Sequence, residues 1–254
     1  MRRVTFTADD LGLSSAVNQA ILEAYTDGAL TSAALMLGQP GSAEAIELAR
    51  RLPGLEIGWH AHLCDSHPAR GGRWARTPWQ AAWQITLFPG HWARVRADLA
   101  EQWRQFQSSG LVCRFLNTHH HLHCHPWVAR WLGELVGATL SGWQRGQDYR
   151  FWDPPEGVAT VWSRAALRRR WIPGPGGGLN WPAADSVWGV DRLWRMQADE
   201  VDRTARQLPP GRHEFIFHPR GGAADEDLKA LLALRRRGWT REKTGGDWCS
   251  GTSA

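Results

Sequence analysis

Lysine is almost absent from this chain. Of the 30 basic residues among 254, only Lys229 and Lys243 are not arginine. Against 25 acidic residues they leave a formal net charge of +5, but the arginines are spread along the chain. The densest runs, Arg168-Arg169-Arg170 and Arg235-Arg236-Arg237, lie in no recognisable nucleic-acid module, so a basic solvated surface is expected and no nucleic-acid partner. Cysteine is scarce too. Cys64, Cys113, Cys124 and Cys249 form no C-x-x-C pair, which argues against a zinc knuckle or a redox dithiol and for four reduced thiols. No apolar run approaches the roughly 20 residues that span a bilayer. The start, MRRVTFTADD, reaches two aspartates before an apolar signal region could form, so a cytoplasmic protein is expected. Tryptophan, by contrast, is abundant: there are 17. Trp74, Trp79, Trp83 and Trp92 fall in one stretch punctuated by Pro and Gly, where ordinary packing competes with a sugar platform or a lipid-facing rim.

With 43% hydrophobic and 22% charged residues the composition is globular, and about 250 residues is the usual size of one (β/α) barrel. Val4–Ala8 reads as a buried strand. Ser14-Ser15 then offers a helix cap, with Val17, Ala20, Ile21 and Ala24 at helical spacing and a stop at Gly28. Thr31–Leu37 predicts a second strand, Ser42–Leu52 a helix stopped by Pro53-Gly54, and Leu55–His60 a third strand. This β-α-β-α-β order predicts an α/β fold with parallel strands. Residues 64–90 predict a long loop with a helical turn near Trp79–Ile85. Helices are predicted over Trp92–Gln107, Pro126–Val136, Val190–Leu208 and Asp225–Arg236, and strands over Leu111–Asn117 and Glu214–His218. Residues 139–188 read as irregular, with loops at Pro154-Pro155 and at Pro173–Gly178, and the tail after Thr244 as frayed. No repeat or linker is visible, so one domain over 1–254 is expected.

The chemistry-bearing residues share a placement. Asp9-Asp10, His60, His119 and His218 each sit at the C-terminal end of a predicted strand, and in a parallel barrel those ends gather on one face. The run from His119 to His125 holds five of the eleven histidines, directly after a strand and before a helix. Adjacent side chains diverge, so one or two of them can bind metal while others orient or contact substrate. Two neutral imidazoles and a carboxylate form a divalent-metal set with open positions, which lowers the pKa of bound water to about 7 and polarises a carbonyl. Of the two aspartates, one can ligate while the other accepts a proton. Adjacent residues on a regular strand face opposite ways, so both can serve one site only if the strand has ended, as Gly12 suggests. His62 and His67 read as loop residues without a role, and His91 as a helix cap.

These residues resemble a known family. Thr7-Ala-Asp-Asp-Leu-Gly-Leu13, Asp27-Gly-Ala-Leu-Thr-Ser-Ala33, Gly58-Trp-His60, Asn117-Thr-His-His-His-Leu-His123 with Pro126, and Phe217-His-Pro219 occur in the order and spacing of YdjC-like carbohydrate deacetylases, from residue 2 to about 220. The histidine run and Asp185-Ser-Val-Trp-Gly-Val are most similar to the hopanoid-biosynthesis-associated branch, which implies an N-acetylglucosaminyl hopanoid as substrate; another branch deacetylates chitooligosaccharides. The resemblance implies a single-domain (β/α) barrel-like fold of distorted TIM type. It also implies one divalent metal on Asp10, His60 and His119, with Asp9 as base. Family usage suggests Mg²⁺, whereas the imidazoles favour Zn²⁺ or another transition ion. Trp59 and His62 stand where the family has aliphatic residues, and Asn117 where it commonly has Asp.

The expected activity is hydrolysis of the acetamide of an N-acetylated amino sugar or glycolipid. His218, or second His123, protonates the leaving amine, and His121 and Trp59 touch substrate. Peripheral contact with the inner membrane surface and a homodimer complete the expected partners. The competing readings are another metal hydrolase such as a phosphoesterase, for which no cationic group is clearly placed, and a non-catalytic His-rich metal- or lipid-binding protein.

Overall fold

The computed structural model describes residues 2–137, 142–146, 148–154, 156, 165 and 182–240. Most of the stretch read as irregular between 139 and 188 lies outside them, as do Arg168–Arg170, Pro173–Gly178, Cys249 and the tail after Thr244. The described strands are β1 (Arg2–Leu11), β2 (Ser32–Leu35), β3 (Glu56–Ala61), β4 (Phe115–Thr118), β5 (Trp143–Gln144), β6 (Ser186–Trp188) and β7 (Gly211–Phe217). They form one sheet in the order β5-β4-β3-β2-β1-β7-β6, and every pair is parallel. Isolated bridges Gln144↔Ala183 and Tyr149↔Val187 join the flanks of the two end strands, so the sheet curls until its edges meet. This is the expected α/β barrel-like fold.

The helices are α1 (Ser15–Thr26), α2 (Ser42–Arg50), α3 (Pro78–Leu87), α4 (Trp92–Ser108), α5 (Pro126–Val136), α6 (Ala198–Gln207) and α7 (Glu226–Arg236). Local chemistry starts them. Ser14 Oγ accepts from the Val17 N–H at 3.3 Å, Thr77 caps α3 ahead of Pro78, and Asp225 Oδ1 accepts from the Leu228 N–H at 3.0 Å. Two expectations are corrected. The helical turn near Trp79 is a ten-residue helix. The helix expected over Val190–Leu208 is a short 3₁₀ turn at Val190–Arg192, then a break where Trp194 takes φ +62°, then α6. His91 occupies the position before α4, but its side chain makes no capping bond.

Strand alternation sorts the side chains into two cores. Facing the helices, Phe6 packs edge-on against Phe215, Phe217 and Trp239, with centroids 5.5–5.8 Å apart. A separate cluster holds Ala34, Phe115, Trp143, Tyr149, Val187 and Ile216. There Phe115 stacks on Trp143 at 4.6 Å. Gly58 opposite has no side chain because a Cβ would lie 2.5 Å from the Phe115 ring. Further along the strands the same inward positions carry Asp9, His60 and Asn117, whereas Glu214 lies one inward position before Ile216 on β7. The pocket is thus built at the C-terminal end of the strands.

Candidate metal centre and active site

At the end of β1 the backbone does something the alternation rule does not anticipate. The strand does not stop at the aspartates. It runs on to Leu11, with its register against β2 broken between Ala8 and Leu11. Asp10 sits at φ +66° and Gly12 at φ +95°. Gly12 is obligatory on two counts, since a Cβ would also lie 2.7 Å from the Met36 carbonyl. The Gly12 N–H donates to Asn18 Oδ1 at 2.8 Å, which ties the bulge to α1. This bulge, rather than a strand end, lets two consecutive carboxylates serve one pocket.

Asp10, His60 and His119 converge, with one donor atom from each within 4.8 Å of the others. Asp10 Oδ1 lies 3.3 Å from His60 Nε2 and 3.0 Å from His119 Nδ1. Both Asp10 Oδ1 and His60 Nε2 are buried without a hydrogen-bond partner. Buried atoms of this kind are costly unless a ligand satisfies them. On the far side of the His60 ring, Nδ1 is 2.5 Å from Asn117 Oδ1, the outer contact that orients a metal-binding imidazole. One carboxylate and two imidazoles, two of their atoms orphaned, fit a divalent cation. Burial pushes the Asp10 carboxyl up, but the close approach of the His119 and His60 imidazoles outweighs it and holds the group well below the usual carboxylate range. Burial lowers His119, but the adjacent Asp10 carboxylate reverses this and its pKa is raised.

Asp9 faces a different set. Arg145 Nη1 and Nη2 donate to its Oδ2 and Oδ1 at 2.6 and 2.8 Å, and Asn117 Nδ2 donates to Oδ1 at 3.1 Å. The same guanidinium donates to Glu214, with Nη2 2.8 Å from Oε1. Burial again opposes ionisation of Asp9, yet the Arg145 charge, then that of His60, prevails and the carboxyl stays well below its usual range. Arg145 is fully buried, and nothing in the sequence singled it out. It follows the two-residue β5, with no periodicity or motif around it. His218, just past β7, has Nε2 3.9 Å from Asp9 Oδ2 and a buried Nδ1 without a partner. Its backbone N–H is fixed by Asp227 Oδ2 at 2.6 Å.

The five histidines after β4 go separate ways, because His120 and His121 take φ +54° and +56°. His119 joins Asp10 and His60. His120 lies 3.5 Å from Asp65, and a second donor group, Asp65, His119 and His120, shares His119 with the first. His121 Nδ1 is 3.0 Å and His123 Nε2 3.1 Å from the Tyr149 hydroxyl, and His123 Nδ1 is 2.9 Å from Thr118 Oγ1. Burial, then Arg145, lowers His123 to about 3. With both ring nitrogens engaged and the imidazole neutral, His123 is not suited to donate a proton, which corrects its place as second general acid. His121, lowered by burial and then by Arg145, is half-buried.

Trp59 requires a second correction. It points away from His60, is fully buried, and packs on Trp103 with centroids 5.2 Å apart, so it belongs to the core and not to the inward face that carries His60. His62 is a loop residue one position past β3, as expected, but it does not hang free. It is buried, with Nε2 2.8 Å from the Leu37 carbonyl and Nδ1 2.9 Å from Ser66 Oγ.

The fold and this pocket define the class: an α/β barrel-like protein with a carboxylate and histidine centre at the strand ends. The family model of YdjC-like proteins matches residues 3–242, and the chain belongs to that family. It is 34% identical over 141 residues to a carbohydrate deacetylase of Vibrio cholerae, a match covering 53% of this chain and 55% of that protein. It is 32% identical over 127 residues to a carbohydrate deacetylase of Brevibacillus brevis, covering 49% and 51%. The chain thus spans about half the length of the curated relatives it matches. A proposed cellobiose-phosphate cleavage protein of Enterococcus faecalis V583 shares the fold, with TM-score 0.65, 17% identity and 97% of both chains covered.

Proposed function

We propose that this protein is a metal-dependent N-deacetylase, one domain over 1–254, that hydrolyses the acetamide of an N-acetylated amino sugar. The sugar is carried on a hopanoid-type lipid at the inner membrane surface. The observation that carries the reading is the pairing of two unlike carboxylates: Asp10 among imidazoles with orphaned atoms, and Asp9 beside it, held ionised by Arg145. The carbohydrate deacetylases among its relatives support the reaction class.

Asp10, His60 and His119 would hold the cation. When bound there, a divalent ion polarises an acyl oxygen and acidifies water. The remaining work falls to the chain. Asp9 is ionised throughout the working pH range and accepts the proton of the attacking water. Its proton affinity is low, so it holds that proton only in passing and gives it up readily. Arg145 and Asn117 fix both carboxylate oxygens, which sets the direction from which Asp9 reaches the water. His218, with Nε2 turned towards Asp9, donates a proton to the amine nitrogen as the C–N bond breaks. Acetate and the free amine leave, and the Asp9 proton returns the imidazole to its starting state.

The test is acetate release by metal-reconstituted protein from an N-acetylglucosaminyl lipid and from di-N-acetylchitobiose, side by side. Release from the lipid supports the reading. Release from chitobiose alone moves the protein to soluble oligosaccharides, the second reading, which the carbohydrate deacetylase relatives favour. Release from neither, with one ion bound per chain, contradicts the deacetylase assignment.

A further inference from the structure

The segment between β3 and α4 contains none of Asp9, Asp10, His60, His119 and His218. Even so, it is ordered as a capped helix and exposes its apolar side. On α3, Ala81 and Ile85 face the core, while Trp79, Trp83 and Leu87, four residues apart, line the opposite face, with Phe88 following. These four side chains are 49–60% exposed. From Ser66 to Ala97 there is no Asp or Glu, whereas Arg70, Arg73, Arg76, Arg94 and Arg96 are present and all exposed. Those five positive charges equal the formal net charge of the whole chain. Arg96 pairs with Glu134 at 3.0 Å, but among the described residues Arg73, Arg76 and Arg94 form no ion pair. The segment lies on the active-site side of the barrel. It leaves the C-terminal end of β3, just past His60, and Thr86 Oγ1 reaches His125 Nε2, on the histidine turn, at 3.0 Å.

We propose that α3 and its flanking arginines form a docking surface for an anionic lipid bilayer, which seats the mouth of the pocket at the membrane. A short helix with Trp, Phe and Leu on one face and basic residues around it lies in the headgroup region, apolar face down. The missing acidic residues are what an anionic surface selects, and each arginine adds attraction that salt screens. Trp79, Trp83, Leu87 and Phe88 stand on the convex outside of a helix rather than in a groove. That shape suits a bilayer better than a sugar chain. The proposal deepens the reading that the substrate is a glycolipid and rests on it for its purpose, but not for its test.

The full chain is floated with substrate-free vesicles of phosphatidylcholine alone and of phosphatidylcholine with phosphatidylglycerol. Binding is expected to the anionic vesicles, weak binding to the neutral ones, and release in high salt. Trp79→Ser with Trp83→Ser is expected to lower vesicle affinity at least tenfold, and Arg73→Glu with Arg76→Glu to do the same. In both, the circular dichroism and turnover of a soluble N-acetylated sugar should be unchanged. No flotation, or flotation unaffected by both double variants, overturns the proposal. So does a tryptophan variant that only converts a dimer to a monomer, which marks the face as an interface between copies. So too does one that only raises KM for a chitooligosaccharide, which marks a sugar platform. If vesicle binding stands while a detergent-dispersed N-acetylglucosaminyl lipid is not deacetylated, the docking surface holds and the substrate reading falls.

Discussion

Asp9 and Asp10 are neighbours in the chain, yet they belong to opposite halves of the pocket. Around Asp10 the partners are imidazoles, and two buried donor atoms have no hydrogen bond. Around Asp9 the partner is a guanidinium shared with Glu214, and both carboxylate oxygens are engaged. One half offers a donor set for a cation and the other contains its own positive charge. Two identical side chains thereby meet two environments, and the two roles proposed for them rest on what faces them rather than on their own chemistry. Asn117 joins the halves, with Oδ1 against His60 and Nδ2 donating to Asp9. An ionised Asp at this position could serve His60 but could not donate to Asp9.

The comparison breaks most severely at Arg145. Replacing it by Leu leaves Asp9 and Glu214 buried and unpaired, and removing one partner of a buried ion pair costs about 3–5 kcal/mol. Urea unfolding of Arg145→Leu should show a loss of this size. A variant as stable as the parent would mean that the guanidinium does not neutralise the Asp9 half.

A loss of similar size is expected with pH rather than by mutation. His62 ordinarily titrates near 6.5, but burial holds it at about 4 in the fold. Between these values the unfolded chain binds a proton that the folded chain resists. Stability therefore falls as pH drops below about 6.5, by about 3 kcal/mol from this residue when pH 4 is reached. His62→Asn should remove that share of the slope in denaturant midpoints measured from pH 7 to 4. Other buried histidines, His123 among them, keep the remainder.

The smallest effect sharpens the comparison. Asn117→Leu leaves the three ligands in place but frees the His60 ring, and loss of such an outer contact weakens metal binding about 10–100-fold. Asn117→Asp should recover most of that affinity, since an acceptor for His60 returns. Turnover should remain low, because Asp9 has lost a donor and gained a like charge. Calorimetric titration with Zn²⁺, alongside acetate release, separates the two.

Much of this could be seen from residues in order. Val17, Ala20, Ile21 and Ala24 announced α1, Pro126 opened α5 where expected, and the strand-end placement of Asp9-Asp10, His60, His119 and His218 rested on short-range patterns. What could not be seen depended on long-range contacts. Arg145 reaches Asp9 across 136 positions and lies beside a strand of two residues, so no periodicity marks it. The bulge at Asp10 is visible only once β2 is laid beside β1. Trp59 is the reverse case. Alternation with His60 already placed it on the helix-facing side of β3, and the attraction of an aromatic beside a metal ligand obscured that.

The central claim, that neighbouring carboxylates divide binding from proton transfer, is tested most directly by Asp9→Asn and Asp10→Asn made in parallel. Each is titrated with Zn²⁺ and assayed for acetate release. The account predicts that Asp10→Asn loses tight binding of one ion per chain together with turnover. Asp9→Asn keeps the ion and loses turnover by at least about a thousandfold, since it can no longer accept a proton. Near-normal turnover in Asp9→Asn, or unchanged ion binding in Asp10→Asn, would contradict it.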